Sequence, residues 1–72
     1  MRQLQILARI QDIARLEEYA NSVQAASFWY SAAFTGQTEK TVVTVQLSNR
    51  SLGKFLNKLN NLKEVEVFFI PA

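Results

Sequence analysis

The sequence contains no cysteine and no histidine. Their absence excludes disulfide staples, thiolate nucleophiles, imidazole acid–base chemistry and ordinary zinc sites. One proline and two glycines in 72 residues leave no Pro- or Gly-rich linker and no phosphate-cradling glycine loop. No apolar run approaches the roughly 20 residues that a membrane-crossing helix needs, and the first residues lack a signal-peptide pattern. The segment is therefore expected not to insert into a membrane, and a soluble, cytoplasmic setting is the default expectation. Charge of one sign is also scarce. Eight Lys/Arg against six Asp/Glu give a net +2, too slight for an electrostatic footprint on nucleic acid although the pI is about 9.3.

What is present is apolar surface, 49% of the residues, ample for a core and too much for disorder. The length allows one domain, 1–72, near the lower size limit for a chain without staples. Either the domain is minimal or it is a piece of a longer protein. The chain is organised around Thr41 to Ile70. Val43, Val45 and Leu47 alternate with Thr44 and Gln46, the period-2 signature of a half-buried strand. Ser48-Asn49-Arg50-Ser51 breaks that pattern with residues that favour turns and N-caps. Leu52, Phe55, Leu56, Leu59 and Leu62 then form one helical apolar stripe. Gly53 within it either weakens the helix or allows close packing on a sheet. Asn60-Asn61 is a suitable exit, because Asn tolerates the left-handed conformation. Val65, Val67 and Phe69 alternate again, and Pro71 ends strand pairing.

The first half repeats the plan. Leu4, Ile6, Ala8 and Ile10 share one face of a strand over Arg2–Ile10. Asp12 is a plausible N-cap for a helix from Ile13 to Val23, with Leu16, Ala20 and Val23 at helical spacing. Ala25–Thr35 reads as a strand with Phe28, Tyr30, Ala32 and Phe34 on one face and Trp29 on the other. Gly36–Lys40 follows as a hairpin loop. The order is β-α-β-β-α-β. Two right-handed crossovers place both helices on one face of a four-stranded antiparallel sheet, strand order 4-1-3-2, which is the ferredoxin-like α+β sandwich.

Thr41-Val42-Val43-Thr44-Val45, the helical Leu52-Gly53-Lys54-Phe55-Leu56-Asn57-Lys58-Leu59 and the final Val65-Glu66-Val67 resemble the second half of an ACT domain. The resemblance is to the kind found at the C-terminus of bifunctional (p)ppGpp synthetase/hydrolase proteins. The C-terminal domain of MgtC/SapB-type proteins looks similar. The resemblance implies a regulatory, non-catalytic domain that pairs through its sheet, with an amino-acid-type ligand at the dimer interface in some members. Such ligand sites usually carry an Asp-x-x-Gly turn after the first strand. Here Gln11-Asp12-Ile13-Ala14-Arg15 keeps the aspartate, Asp12, and lacks the glycine.

If Val43, Val45, Val67 and Phe69 face the helices, then Leu7, Trp29, Val42, Phe68 and Ile70 face the other way. A monomer's open sheet face should be mostly polar, so these five are the candidate interface, covered by a second copy or a partner domain. Phe28-Trp29-Tyr30 could instead be a stacking platform, with core packing along an edge strand as the plainer reading. An RNA-binding module of the same topology is the further alternative, disfavoured because the third strand, Thr41–Gln46, lacks aromatics and glycine. Lys54, Lys58 and Lys63 read as a solvated helix face rather than a phosphate site. Glu64 and Glu66, two apart on a strand, read as surface carboxylates rather than a cation site. No nucleophile–base spacing or acid/base pair appears, so no catalytic residue, metal ligand or cofactor is expected. Asp12 remains the candidate ligand contact for a small molecule.

Overall fold

The computed structural model describes residues 1–35 and 38–70. Its elements are β1 (Arg2–Ala8), a 3-10 turn (Ile10–Asp12), α1 (Ile13–Ser22), β2 (Ser27–Thr35), β3 (Thr38–Leu47), α2 (Asn49–Leu59) and β4 (Glu66–Ile70). All strand pairs are antiparallel, in the order β2-β3-β1-β4, which is the expected order read from the other edge. The fold is ferredoxin-like α+β. Of the expected hairpin loop, Thr38–Lys40 belong to β3, while Gly36 and Gln37 lie outside the described residues, as does the strand-ending Pro71.

Leu4, Ile6 and Ala8 are fully buried while Gln5 is exposed, so the alternation of β1 is real. The strand stops at Ala8, two residues short of the expected end. Arg9 turns to place its Nε 3.0 Å from the Asp12 carboxylate, and the Asp12 N–H donates to the Arg9 carbonyl at 3.0 Å. That local closure diverts Ile10 from the strand and leaves it 60% exposed. Asp12 stands at the N-cap position of α1, but its backbone is helical (φ −95°, ψ −5°) and its carboxylate makes no capping bond. The 3-10 turn leads into the helix instead, with the Ile13 N–H donating to the Ile10 carbonyl.

The α1 helix ends through Gln24, whose φ is 57°. The Gln24 N–H bonds the Asn21 carbonyl at 3.1 Å and the Ala25 N–H bonds the Ala20 carbonyl at 2.9 Å. This pair of bonds around a left-handed residue is the Schellman arrangement. It turns the chain into β2, which begins at Ser27 rather than Ala25.

At the start of α2, the Ser48 Oγ accepts the Ser51 N–H at 3.2 Å, so the expected cap is present. The Ser51 hydroxyl donates to the Val23 carbonyl at 2.7 Å and ties the start of α2 to the end of α1. Gly53 is exposed, and a Cβ there would meet nothing within 4 Å, so close packing is not its purpose. Asn60 keeps right-handed angles (φ −62°, ψ −17°). Three successive bonds, Asn60 to Asn57, Asn61 to Lys58 and Leu62 to Leu59, wind the chain down and return Leu62 to the core.

The core lies between the helices and one face of the sheet. Leu16 and Ala20 of α1 and Phe55 and Leu59 of α2 meet Leu4, Ile6, Val43, Val45 and Leu47. Phe69 belongs to this face by register, opposite Leu4, yet it is 60% exposed because β4 is an outer strand.

Candidate functional site

The register aligns the strands into rows that cross the sheet. On the face without helices, one row runs Ser27, Gln46, Gln3, Ile70. The next runs Trp29, Thr44, Gln5, Phe68, and the third runs Ser31, Val42, Leu7, Glu66. Leu7, Trp29, Val42, Phe68 and Ile70, the five residues expected to share a face, do so. They form one band. Ile70 and Phe68 are neighbours along β4, Phe68 is diagonal to Leu7, Leu7 is opposite Val42, and Val42 is diagonal to Trp29. Trp29 and Phe68 are 48% and 53% exposed, and the other three are half-buried. The rest of these three rows is Ser27, Ser31, Gln3, Gln5, Thr44 and Gln46, with Glu66 the single charged residue, at one corner. The face is thus less uniformly apolar than the alternation predicts, and its charges lie at the margin of these rows, Glu66 at one corner and Lys40 in the row beyond Val42. Loss of charge from the centre distinguishes the buried part of a protein–protein contact from ordinary surface.

The aromatic run Phe28-Trp29-Tyr30 divides between faces. Phe28 and Tyr30 lie on the helix side in an edge-to-face pair, centroids 6.3 Å apart at 63°, while Trp29 projects from the open face. The three cannot form one platform. Tyr30 is 56% exposed and walls a groove of about 460 Å³ with Ile10, Ile13, Ala14, Glu17 and Thr41. Sequence reasoning missed this groove, because its lining is drawn from the 3-10 turn, α1, β2 and β3 together.

Asp12 is buried, and its carboxylate is held by Arg9 at 3.0 Å. Arg9 also reaches Glu64 at 3.5 Å. The Asp12 hydrogen bond is the first cause of the Arg9 guanidinium being held above its ordinary pKa, with the charges of Asp12 and Glu64 adding to it. A ligand amine at Asp12 would have to share a carboxylate already engaged. Glu64 precedes β4, so Glu64 and Glu66 do not share a strand face as expected, although both border a shallow depression with Lys40 and Lys63. The three lysines do not form one helix face either. Lys63 lies beyond α2, Lys58 sits over the Tyr19 ring at 5.8 Å and Lys54 is exposed. Among the described residues, no three acidic side chains converge as a metal site would require, and no helix is long and apolar enough to cross a membrane.

No protein-family model and no curated protein matches this sequence. Solved structures do match its fold. The apo form of CPII, a nitrogen regulatory PII-like protein from Thiomonas intermedia K12, superposes with a TM-score of 0.83 at 9% identity over 96% of this chain and 85% of that one. The same protein bound to ADP, AMP and bicarbonate gives 0.77 at 8% identity, covering 96% and 86%. A PII-like signalling protein from Thermus thermophilus gives 0.70 at 14% identity, covering 96% and 87%. At these identities the likeness establishes a shared fold.

Proposed function

We propose that this chain is a non-catalytic regulatory module that acts by association, its sheet joining a second copy of itself. The observation that carries this reading is the band Ile70–Phe68–Leu7–Val42–Trp29, itself uncharged, on a face with no helix over it. Such a face is compatible with itself, because two copies bring no like charges together there. The resemblance to ACT domains and the fold shared with PII-like proteins both fit a regulatory rather than a chemical role. The aromatics of the open face stand on the two outer strands. The central strands offer Gln3, Gln5, Leu7, Lys40, Val42, Thr44 and Gln46, without a ring on which a base could stack. Light scattering across a concentration series tests the reading. Assembly at micromolar concentration is expected, and a clean monomer at millimolar concentration overturns it.

A second reading, a small-molecule sensor, is favoured by the groove beside Tyr30, whose size suits a small ligand, and by the fold shared with a protein that binds ADP and AMP. Glu17 is the one acidic residue in that lining, and no basic residue joins it. The groove therefore suits an apolar or aromatic amine better than a phosphate. A thermal-shift screen with amino acids, amines and nucleotides tests this reading. Stabilisation by amines supports it, and a flat response removes it.

A further inference from the structure

The two outer strands are built alike. Each carries two consecutive aromatic residues, Trp29-Tyr30 on β2 and Phe68-Phe69 on β4, and consecutive strand residues point to opposite faces. All four are about half exposed or more, so each edge of the sheet shows an uncovered ring on both sides. The β2 edge lacks the usual charged guard, and the β4 edge has a single one. β2 has no charged residue from Ser27 to Thr35, and β4 has only Glu66. Outer strands of proteins that remain single chains are normally short, charged, bulged or covered.

The directions of the edges fit each other. Every neighbouring pair in β2-β3-β1-β4 is antiparallel, so β2 and β4 of one chain run in opposite directions. A second copy placed in the same orientation beside the first brings its β4 antiparallel to the first copy's β2. The rows continue as well. With the second copy set in the register that continues those rows, Val67 comes opposite Tyr30, Phe68 opposite Trp29, and Phe69 opposite Phe28, pairing aromatic with aromatic or apolar on both faces. All five residues of β4 find a mate within Ser27–Ser31. The hydrogen-bond pattern is in phase too. Hydrogen-bonded and non-hydrogen-bonded pairs alternate along a row, and after four strands the alternation is ready to repeat.

We infer that copies of this chain join head to tail, the β4 edge of one extending the sheet of the next at its β2 edge. The inference rests on the association proposed above and specifies its geometry as a contact between two different surfaces, which builds a ring or an open series rather than being limited to a two-fold dimer. It also sets the open faces of successive copies side by side, so that the apolar bands become continuous.

Two edge variants decide the matter. Tyr30→Lys places a charge on the β2 edge and Phe69→Lys places one on the β4 edge, both at exposed positions on the helix side, with circular dichroism confirming the fold. Each variant alone is expected to be a monomer where the parent assembles. Mixed in equal amounts they are expected to form a one-to-one dimer, doubling the mass, because one unmodified pair of edges survives. If Phe69→Lys alone assembles like the parent, or the mixture stays monomeric, the head-to-tail contact is wrong. If both variants assemble like the parent, the edges are unused, and the inference fails while association through the face stands. A monomeric parent removes both. Trp29→Lys and Phe68→Lys serve as the second pair should either first variant fail to fold.

Discussion

Trp29 and Phe68 occupy the two ends of one row of the sheet, separated only by Thr44 and Gln5, and both project from the face that carries no helix. Trp29 is the one tryptophan of the chain and therefore reports on that face directly. Its emission is expected to move to shorter wavelength as concentration rises, and back on dilution, as assembly removes water from the indole. Emission that is independent of concentration would count against a contact at this face.

Trp29→Asp and Phe68→Asp each put a carboxylate into the same surface, and desolvating an unpaired charge is costly. Each is expected to weaken self-association at least tenfold, about 1.4 kcal/mol, with little effect on the unfolding midpoint of the monomer. Sedimentation equilibrium of parent and variants checks this. Unchanged association constants for both would show that the row is ordinary surface.

Two positions are expected to gain stability on substitution. Gly53 is a helix-interior glycine facing open space, so Gly53→Ala should add about 0.5–1 kcal/mol to the unfolding free energy. Gln24 holds a φ of 57°, a conformation that costs a residue with a Cβ about 1 kcal/mol or more. Gln24→Gly should recover part of this, whereas Gln24→Val should lose stability. Urea titrations measure all three, and a destabilised Gly53→Ala would mean that the helix packs differently there.

Ser48 and Ser51 hold the junction of the two helices. Ser48→Ala removes the cap and is expected to cost about 1 kcal/mol. Ser51→Ala leaves the Val23 carbonyl without its 2.7 Å donor and should cost a similar amount, about 0.5–1.5 kcal/mol. The two share one turn, so the double variant should depart from additivity.

Phe55 is the largest fully buried side chain among the described residues. Phe55→Ala is expected to cost about 3–5 kcal/mol. A domain of this size has roughly 4–11 kcal/mol in total by a per-residue scale, so that variant should be mostly unfolded well below the parent's midpoint by thermal circular dichroism.

The sequence carried those parts of the fold that depend on near neighbours. Period-2 runs such as Leu4–Ala8 and Val43–Leu47 placed the strands and assigned Leu7, Trp29, Val42, Phe68 and Ile70 to one face. Ser48 announced α2. What it could not show depends on which side chains meet. Ile10 fits the alternation of β1, but the Arg9–Asp12 bond turns the chain before it. Phe69 fits the apolar face of β4, but on that outer strand only Val67 reaches the core and Phe69 is left 60% exposed. Gln24 gave no sign of a left-handed residue, because that signal is normally Gly or Asn, and at Asn60, where Asn did occur, the chain stayed right-handed. The groove beside Tyr30 joins three stretches of chain far apart in sequence, and no local pattern encodes it.

The strand order also fixes how the chain reaches its native state. β1 lies between β3 and β4, so it is flanked on both sides by strands that follow much later in the sequence. Gln3 pairs with Ile70, nearly a full chain length away. Closing that loop carries the largest entropy cost of any pairing in the sheet, and topologies of this kind fold more slowly than those built from local contacts. β4 is therefore expected to dock last and leave first. Substitutions along it should speed unfolding while leaving the folding rate almost unchanged, and the outer edge of β1 is the part of the core first shown to solvent.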